Sequence, residues 1–387
     1  MHKIKGAMRH LLKQTIFLFL DIFFFLFKRD NQIAICRGWK GIRFADNSRY
    51  MFTYLSANKE TSGLKKTVWL TQNEALLQEL KSKGYETCKE KSVRGYWLYL
   101  RAKYIICDQL VEELPRFITH KSVLVDLWHG MPIKKFGFWN GIQWNMRNSY
   151  LMTCSEKGDI MIGGAFNLSP ERYIHGMYPR NYYLSHDIPL LLDKEKEIIK
   201  RLISLQEKGK RILFYLPTFR KEQIPFLGTN NEEERHRFFD LLKGNDYIMV
   251  SKMHFYGAMT NHDKINEADE SVINLPPETD IYPFLKMADI LITDYSSVLF
   301  DFLYLDRPII CYAYDMNQYK QNDRGLLLDY EKLPAQFAFT LEELIVLLSN
   351  LSKGAKTDGL SQTREAWLDK YWGNMTIDHT IKNILEL

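Results

Sequence analysis

The sequence predicts an α/β protein made of two doubly wound domains that face one another across a central cleft. Three observations predict it. Short apolar runs alternate with helical patterns, and the series occurs twice. A charged helical segment, "LLDKEKEIIKRLISLQEKGK" (191–210), separates the two series. The chain has 387 residues, long enough for two ordinary domains.

Composition narrows the class. Apolar residues make up 46% and charged residues 26%, the balance of a folded globular protein. The net charge of +5 is too small to imply a nucleic-acid partner. It suits an anionic substrate or an anionic membrane surface. The five cysteines (Cys36, Cys88, Cys107, Cys154 and Cys311) are scattered, with no CxxC pair. That argues against a zinc site and a disulfide framework, and favours a reducing compartment.

The elements follow in chain order. Residues 1–30 open with basic residues, run apolar from Ile16 to Phe27, and turn basic again at Lys28 and Arg29. The run is short for a bilayer span of about 20 residues, and Asp21 interrupts it. No small-residue cleavage site follows, so the segment does not read as a signal peptide. It reads as an amphipathic helix on a membrane surface, with Phe and Leu in lipid and Lys and Arg at anionic headgroups. The alternative is a core helix of the first domain.

The first α/β domain is assigned to 31–190. Its strands are "QIAICRGW" (32–39), "KTVWLTQ" (66–72), "AKYIICD" (102–108), "SVLVDLWH" (122–129) and "YLMTCSE" (150–156). Between them "NEALLQELKSKGY" (73–85) reads as a helix that Gly84 stops. The second domain is assigned to 191–362, with strands "RILFYLP" (211–217), "DYIMVSKMHF" (246–255), "SVINLP" (271–276), "ADILITD" (288–294) and "RPIICYAYD" (307–315). The stretch 221–237 reads as a surface loop and the start of a helix. The aromatic, amphipathic segment 363–387 is expected to pack back on the first domain.

Open α/β sheets bind ligands beyond the C-terminal ends of their strands, so the chemistry is sought there. In the second domain a strand ends at Thr293, and Asp294, Tyr295, Ser296 and Ser297 lead into an apolar helix. Hydroxyls at a helix start either cap it or, with its free N–H groups, hold a phosphate. Arg220 follows one neighbouring strand, and Lys252 and His254 follow another. If the three strands are parallel neighbours, these loops surround one anionic group.

His129, in "VDLWHGMPIKKFG" (125–137), faces that site from the first domain. A neutral imidazole there can take a proton from an incoming hydroxyl. Gly130 permits a tight turn, and Lys134 and Lys135 add positive potential at the rim. No GxxxxGK[ST] loop is present, no GxGxxG follows a strand, and no clustered aspartates point to a two-metal centre. No metal and no cofactor are expected.

"LWHGMPIKKFG", "LPTFR", "KMH" and "TDYSSVLFDFLYLDRPIICY" together resemble the CDP-glycerol glycerophosphotransferases of teichoic-acid and related polymer synthesis, over roughly 100–320 and in the same order. The resemblance implies a GT-B-like fold and a peripheral place on the cytoplasmic face of the cell membrane. It also implies transfer of glycerol phosphate from CDP-glycerol to a hydroxyl of a lipid-linked acceptor, with release of CMP. His129 would activate the acceptor. Arg220 and His254 would bind the donor pyrophosphate and stabilise the leaving CMP. Ser296 and Ser297 would contact the phosphates, with Asp294 beside the donor and Lys252 in the same set. Arg180, in "HGMYPRNYY" (175–183), matches part of a family turn on the acceptor side, although the aspartate usual there is missing. The alternatives are a CDP-ribitol-dependent enzyme and a nucleotide-sugar glycosyltransferase of the same overall fold.

Overall fold

The structure is a computed structural model. It describes residues 15–387 apart from 17–18, 21, 24, 26, 110–115, 145, 147–148, 219, 221–225, 253–269, 323–324 and 355–359. The basic start of the N-terminal segment and His254 therefore lie outside the described residues.

Both series of apolar runs close into parallel sheets. The first lobe holds β1 (Asp30–Arg37), β2 (Lys66–Thr71), β3 (Thr87–Lys89), β4 (Ala102–Cys107), β5 (Val123–Asp126), β6 (Tyr150–Met152) and β7 (Tyr173–Ile174), in the order β3-β2-β1-β4-β5-β6-β7. The second holds β8 (Arg211–Leu216), β9 (Tyr247–Ser251), β10 (Val272–Asn274), β11 (Ile290–Thr293), β12 (Ile309–Tyr312) and β13 (Gln336–Ala338), in the order β10-β9-β8-β11-β12-β13.

The strands are apolar on successive residues because helices cover both faces. In β1, Ile35 packs on one side with Val68 and Leu98, while Ala34 and Cys36 pack on the other with Trp69 and Ile106. Register follows the same logic: Ile35 lies opposite Val68 and Ile105, and Ile105 opposite Leu124. Three short edge strands, β3, β7 and β13, were not expected from the sequence. Each is only two or three residues long, too short for periodicity to register. The strand expected over 122–129 ends at Asp126.

The helix Asp46–Ala57 was also not expected. Asp46 through Leu55 are all buried, because it lies between the first sheet and the second lobe. Its polar residues therefore need internal partners. Arg49 finds them in Glu195 (2.6 Å) and Asp280 (3.2 Å), and the Tyr50 hydroxyl donates to Asp280 at 2.9 Å. This network ties the first lobe to the helix Asp193–Glu207 and to the second lobe.

The C-terminal helices Leu360–Trp372 and Ile377–Leu385 bridge the lobes. Tyr54 donates to Asp378 at 2.7 Å and Tyr104 to the Leu385 carbonyl at 2.8 Å, whereas Trp372 donates to Phe300 in the second lobe at 3.0 Å.

The described residues of the N-terminal run are helical at Thr15, Ile16, Phe19, Leu20, Ile22, Phe23 and Phe25. Phe19 is 67% exposed and Ile22 63%. Among the described residues no helix is long and apolar enough to cross a membrane. One detail corrects the sequence reading. Arg29 does not face outward to headgroups: it is buried and donates to the carbonyls of Tyr99 (2.8 Å), Ile118 (3.0 Å) and His120 (3.0 Å). Burial, with Arg101 nearby, lowers its pKa to about 10.

Removing one member of a buried ion network strands its partners at a cost of roughly 3–5 kcal/mol. Arg49→Met is therefore expected to lower the denaturant midpoint followed by circular dichroism, and an unchanged midpoint would contradict the placement of Arg49.

Candidate active site

In each sheet the crossovers leave the first strand in opposite directions. The gap between β1 and β4, and that between β8 and β11, are the points where a doubly wound sheet opens a crevice. His129 stands at the first of these points, and Arg220, Asp294, Ser296 and Ser297 stand at the second.

His129 stands above the first crevice. Its position comes from three features of the elbow after β5. The buried Asp126 carboxylate accepts the Trp128 N–H at 2.9 Å and stops the strand. Trp128 then takes φ +55° and Gly130 φ +129°. A side chain at position 130 would also have no room, since a Cβ there would lie 2.7 Å from Arg180 Nη2 and 2.9 Å from Ser297 Oγ. Glycine is required on both counts. The second contact matters most, because it seats the His129 elbow directly on the Ser296–Ser297 turn of the other lobe.

His129 is half-buried, its ring flanked by Trp128 (3.8 Å between centroids) and Trp39 (5.9 Å). Nδ1 lies 3.4 Å from the Asp108 carbonyl. A carbonyl only accepts, so Nδ1 carries the proton in that bond and Nε2 is left with the lone pair. Burial lowers the His129 pKa, Asp46 and the Asp108 carbonyl act against that, and the net value sits below the ordinary imidazole value. The ring is neutral at physiological pH, the state a base needs.

Across the cleft, β9, β8 and β11 are parallel neighbours. The ends of β8 and β11 meet through an ion cluster. Arg220 binds Asp294 (2.7 Å) and Asp315 (2.6 Å), donates to the Thr218 carbonyl (2.7 Å), and stacks near Tyr295 and Tyr319. Asp294 also accepts the N–H groups of Thr218 (2.8 Å) and Tyr295 (2.5 Å). The Arg220 fork is thus directed into the lobe, where it braces the turn carrying Ser296 and Ser297. The Ser297 hydroxyl makes no cap bond in the short helix Val298–Phe302.

The profile of the family described as CDP-glycerol:poly(glycerophosphate) glycerophosphotransferase matches residues 18–372. The chain belongs to this family. It is 27% identical over 345 residues to a teichoic acid poly(glycerol phosphate) polymerase of Bacillus spizizenii, covering 83% of this chain and 84% of the relative. It is 26% identical over 384 residues to a teichoic acid glycerol-phosphate transferase of Staphylococcus aureus, covering 91% and 92%. The solved structure of the wall teichoic acid polymerase TagF superposes with a TM-score of 0.71 at 20% identity, over 100% of this chain and 96% of that one. The shared fold is GT-B-like, and the chain is a glycerophosphotransferase of the CDP-glycerol-dependent type.

Other residues of this glycerophosphotransferase depart from the sequence reading. Arg180 is not an open cleft cation. It is 2% exposed and held by Asp46 (2.5 Å) and Asp301 (2.7 Å), while it donates to the His129 carbonyl at 3.0 Å. Burial opposes its charge, but Asp301, Tyr282 and Asp46 outweigh that and raise its pKa above the ordinary arginine value. Lys134 and Lys135 lie on a segment docked against the second lobe. Lys134 bridges Leu326, the Lys135 N–H donates to Gly325 at 2.7 Å, and the Lys135 side chain is exposed.

Lys252 follows β9 at the lobe seam. Among the described residues it has no ion-pair partner, and burial, with Arg43 nearby, lowers its pKa to about 8. The sequence reading passed over Asp46, Asn47 and Ser48, which surround the elbow. "DNSRY" carries no spacing signal, and only the fold brings it to His129.

Lys252 keeps its charge below its depressed pKa and loses it above. If it meets the donor phosphates, KM for CDP-glycerol is expected to rise about tenfold as pH passes upward through about 8. Lys252→Arg, charged throughout, is expected to flatten that rise. A KM independent of pH in both proteins would remove Lys252 from donor binding.

Proposed function

We propose that this enzyme transfers glycerol phosphate from CDP-glycerol to a hydroxyl of a lipid-linked acceptor at the cytoplasmic surface of the membrane, in the synthesis of teichoic acid or a related polymer. The observation that carries the reading is the seating of the His129 elbow on the Ser296–Ser297 turn, base against phosphate site, across two facing crevices. A variant of the TagF polymerase was solved after soaking with CDPG, which supports a nucleotide donor for this fold.

The acceptor hydroxyl gives its proton to His129 Nε2 as its oxygen forms a bond to the β-phosphorus. The bond from that phosphorus to the bridging oxygen breaks, and the electron pair leaves on CMP. One phosphodiester is made for one phosphoanhydride broken. Lys252, the backbone around Ser296 and Ser297, and His254 steady the charge on the donor phosphates. Arg220 contributes by holding Asp294 and the turn in place.

His129→Ala is expected to cut CMP release from CDP-glycerol by on the order of 10²–10⁴-fold in a folded protein, the usual worth of a general base. CDP-ribitol run in parallel identifies the donor. Near-normal turnover in His129→Ala would overturn the assignment.

The exposed Phe19, Ile22 and Phe23 belong to a peripheral anchor in this reading. Replacing Phe19 and Ile22 with serine is expected to weaken co-sedimentation with anionic vesicles at least several-fold, while turnover on a water-soluble acceptor persists. Unchanged co-sedimentation would count against the anchor.

A further inference from the structure

The start of the helix Asp46–Ala57 holds the surroundings of His129 from three consecutive positions. Asp46 binds Arg180, the same guanidinium that donates to the His129 carbonyl. Asn47 donates to the Trp128 carbonyl at 2.9 Å and accepts the Arg180 N–H at 3.3 Å, so it pins the peptide entering His129. Ser48 donates its N–H (2.5 Å) and its hydroxyl to the Asp108 carboxylate, and the carbonyl of Asp108 faces His129 Nδ1. Asp46 itself sits at φ +64°, a left-handed conformation uncommon outside glycine, so the backbone is bent to place this carboxylate.

We infer that Asp46 is the positioning residue of the base: it fixes Arg180 beneath the His129 peptide and balances the positive charge that His129 acquires when it takes the acceptor proton. The inference rests on the assignment of His129 as the base.

The groups facing the ring leave Asp46 as the carboxylate suited to this. Asp108 is fully buried; burial and the nearby Asp46 raise its carboxyl above the usual range, the Ser48 hydrogen bonds act against that, and both of its oxygens are taken up by Ser48. From the elbow itself comes Lys134, from the helix Pro179–Ser185 comes Arg180, and both oppose a charged imidazole. Trp39 and Trp128 are uncharged, and the second lobe presents Ser297. Asp46 acts in the opposite sense to the two cations, raising the affinity of His129 for a proton.

The test is the pH profile of kcat. The acid limb reports protonation of the base in the donor complex. Asp46→Asn removes the balancing charge, so the limb is expected to move to lower pH by on the order of one pH unit while kcat on the plateau falls about tenfold. Asp46→Glu keeps the charge and is expected to leave the limb at its wild-type position, whatever it does to the plateau. This variant keeps the inference testable if Asp46→Asn does not fold. Asp301→Asn removes the other partner of Arg180 and is expected to raise KM with the limb in place. A limb unmoved in folded Asp46→Asn overturns the inference. So does a limb that moves equally in Asp301→Asn, or one that moves in Asp46→Glu. Turnover surviving in His129→Ala instead overturns the base itself; an inactive His129→Ala with an unmoved Asp46→Asn limb overturns only the role of Asp46.

Discussion

One buried guanidinium holds the cleft together. Arg180 reaches Asp46 with one nitrogen and Asp301 with the other, and the two carboxylates belong to different lobes. Its plane also lies over the Tyr282 ring, at 4.7 Å, and the Tyr282 hydroxyl donates to the same Asp301 at 2.6 Å. Such a site suits arginine and not lysine, because only a planar fork serves two acids on two sides at once. The network adds little net stability, since desolvating three charges costs about what their attraction returns. What it adds is uniqueness. Separating the lobes would leave Asp301 facing water on one side and Arg180 half-paired on the other, so the arrangement with His129 over the Ser297 turn is the one that keeps Arg180 paired with both acids.

The division of labour among the cations follows from this. Arg180 and Arg220 are each spent on a pair of aspartates. They shape the site and do not offer a free charge to a ligand. Lys252 is the opposite case: burial, with Arg43 nearby, depresses it to about 8, and it is paired with no acid among the described residues. If the donor pyrophosphate enters this seam, as proposed, it gains a charge-assisted contact and relieves a desolvation penalty together.

The fold was legible where it depends on long apolar runs. β1, β2, β4, β8 and β11 are central strands buried on both faces, and their composition alone marks them. β3, β7 and β13 are edge strands of two or three residues whose pairing is set by neighbours, not by their own pattern. The site was legible in its positions and less so in its roles. His129, Arg220, Asp294, Ser296 and Ser297 stand after strands, as their spacing implied. Whether an arginine points at a ligand or at an aspartate is a matter of which acids the fold brings beside it. Asp315, after β12, and Asp46, after β1, are far from Arg220 and Arg180 in sequence. The helix Asp46–Ala57 escaped notice for a related reason: buried all round, it has no polar face to reveal its period.

The surface carries the same asymmetry as the cleft. Among the described residues, large exposed apolar side chains concentrate on the first lobe: Phe19 and Ile22 on the N-terminal helix, and Phe138, Trp139 and Ile142 just past the elbow. Among the described residues of the second lobe such side chains are isolated, as at Ile203 and Phe339. The proposed reading accounts for this: a water-soluble nucleotide needs no apolar surface on the lobe that receives it, whereas an acceptor tethered to lipid does. Arg29 sets the geometry of the tether. Its carbonyl partners Ile118 and His120 precede β5, so the N-terminal helix joins the sheet at the edge where β4 and β5 begin. His129 lies past the other end, about 13–20 Å away for strands of four to six residues. In the proposed reading, with the helix on the membrane, the reacting hydroxyl stands off the lipid by about the length of a strand. Under that proposal an acceptor with several polar units between its lipid and its growing end meets the distance, and a bare lipid headgroup does not.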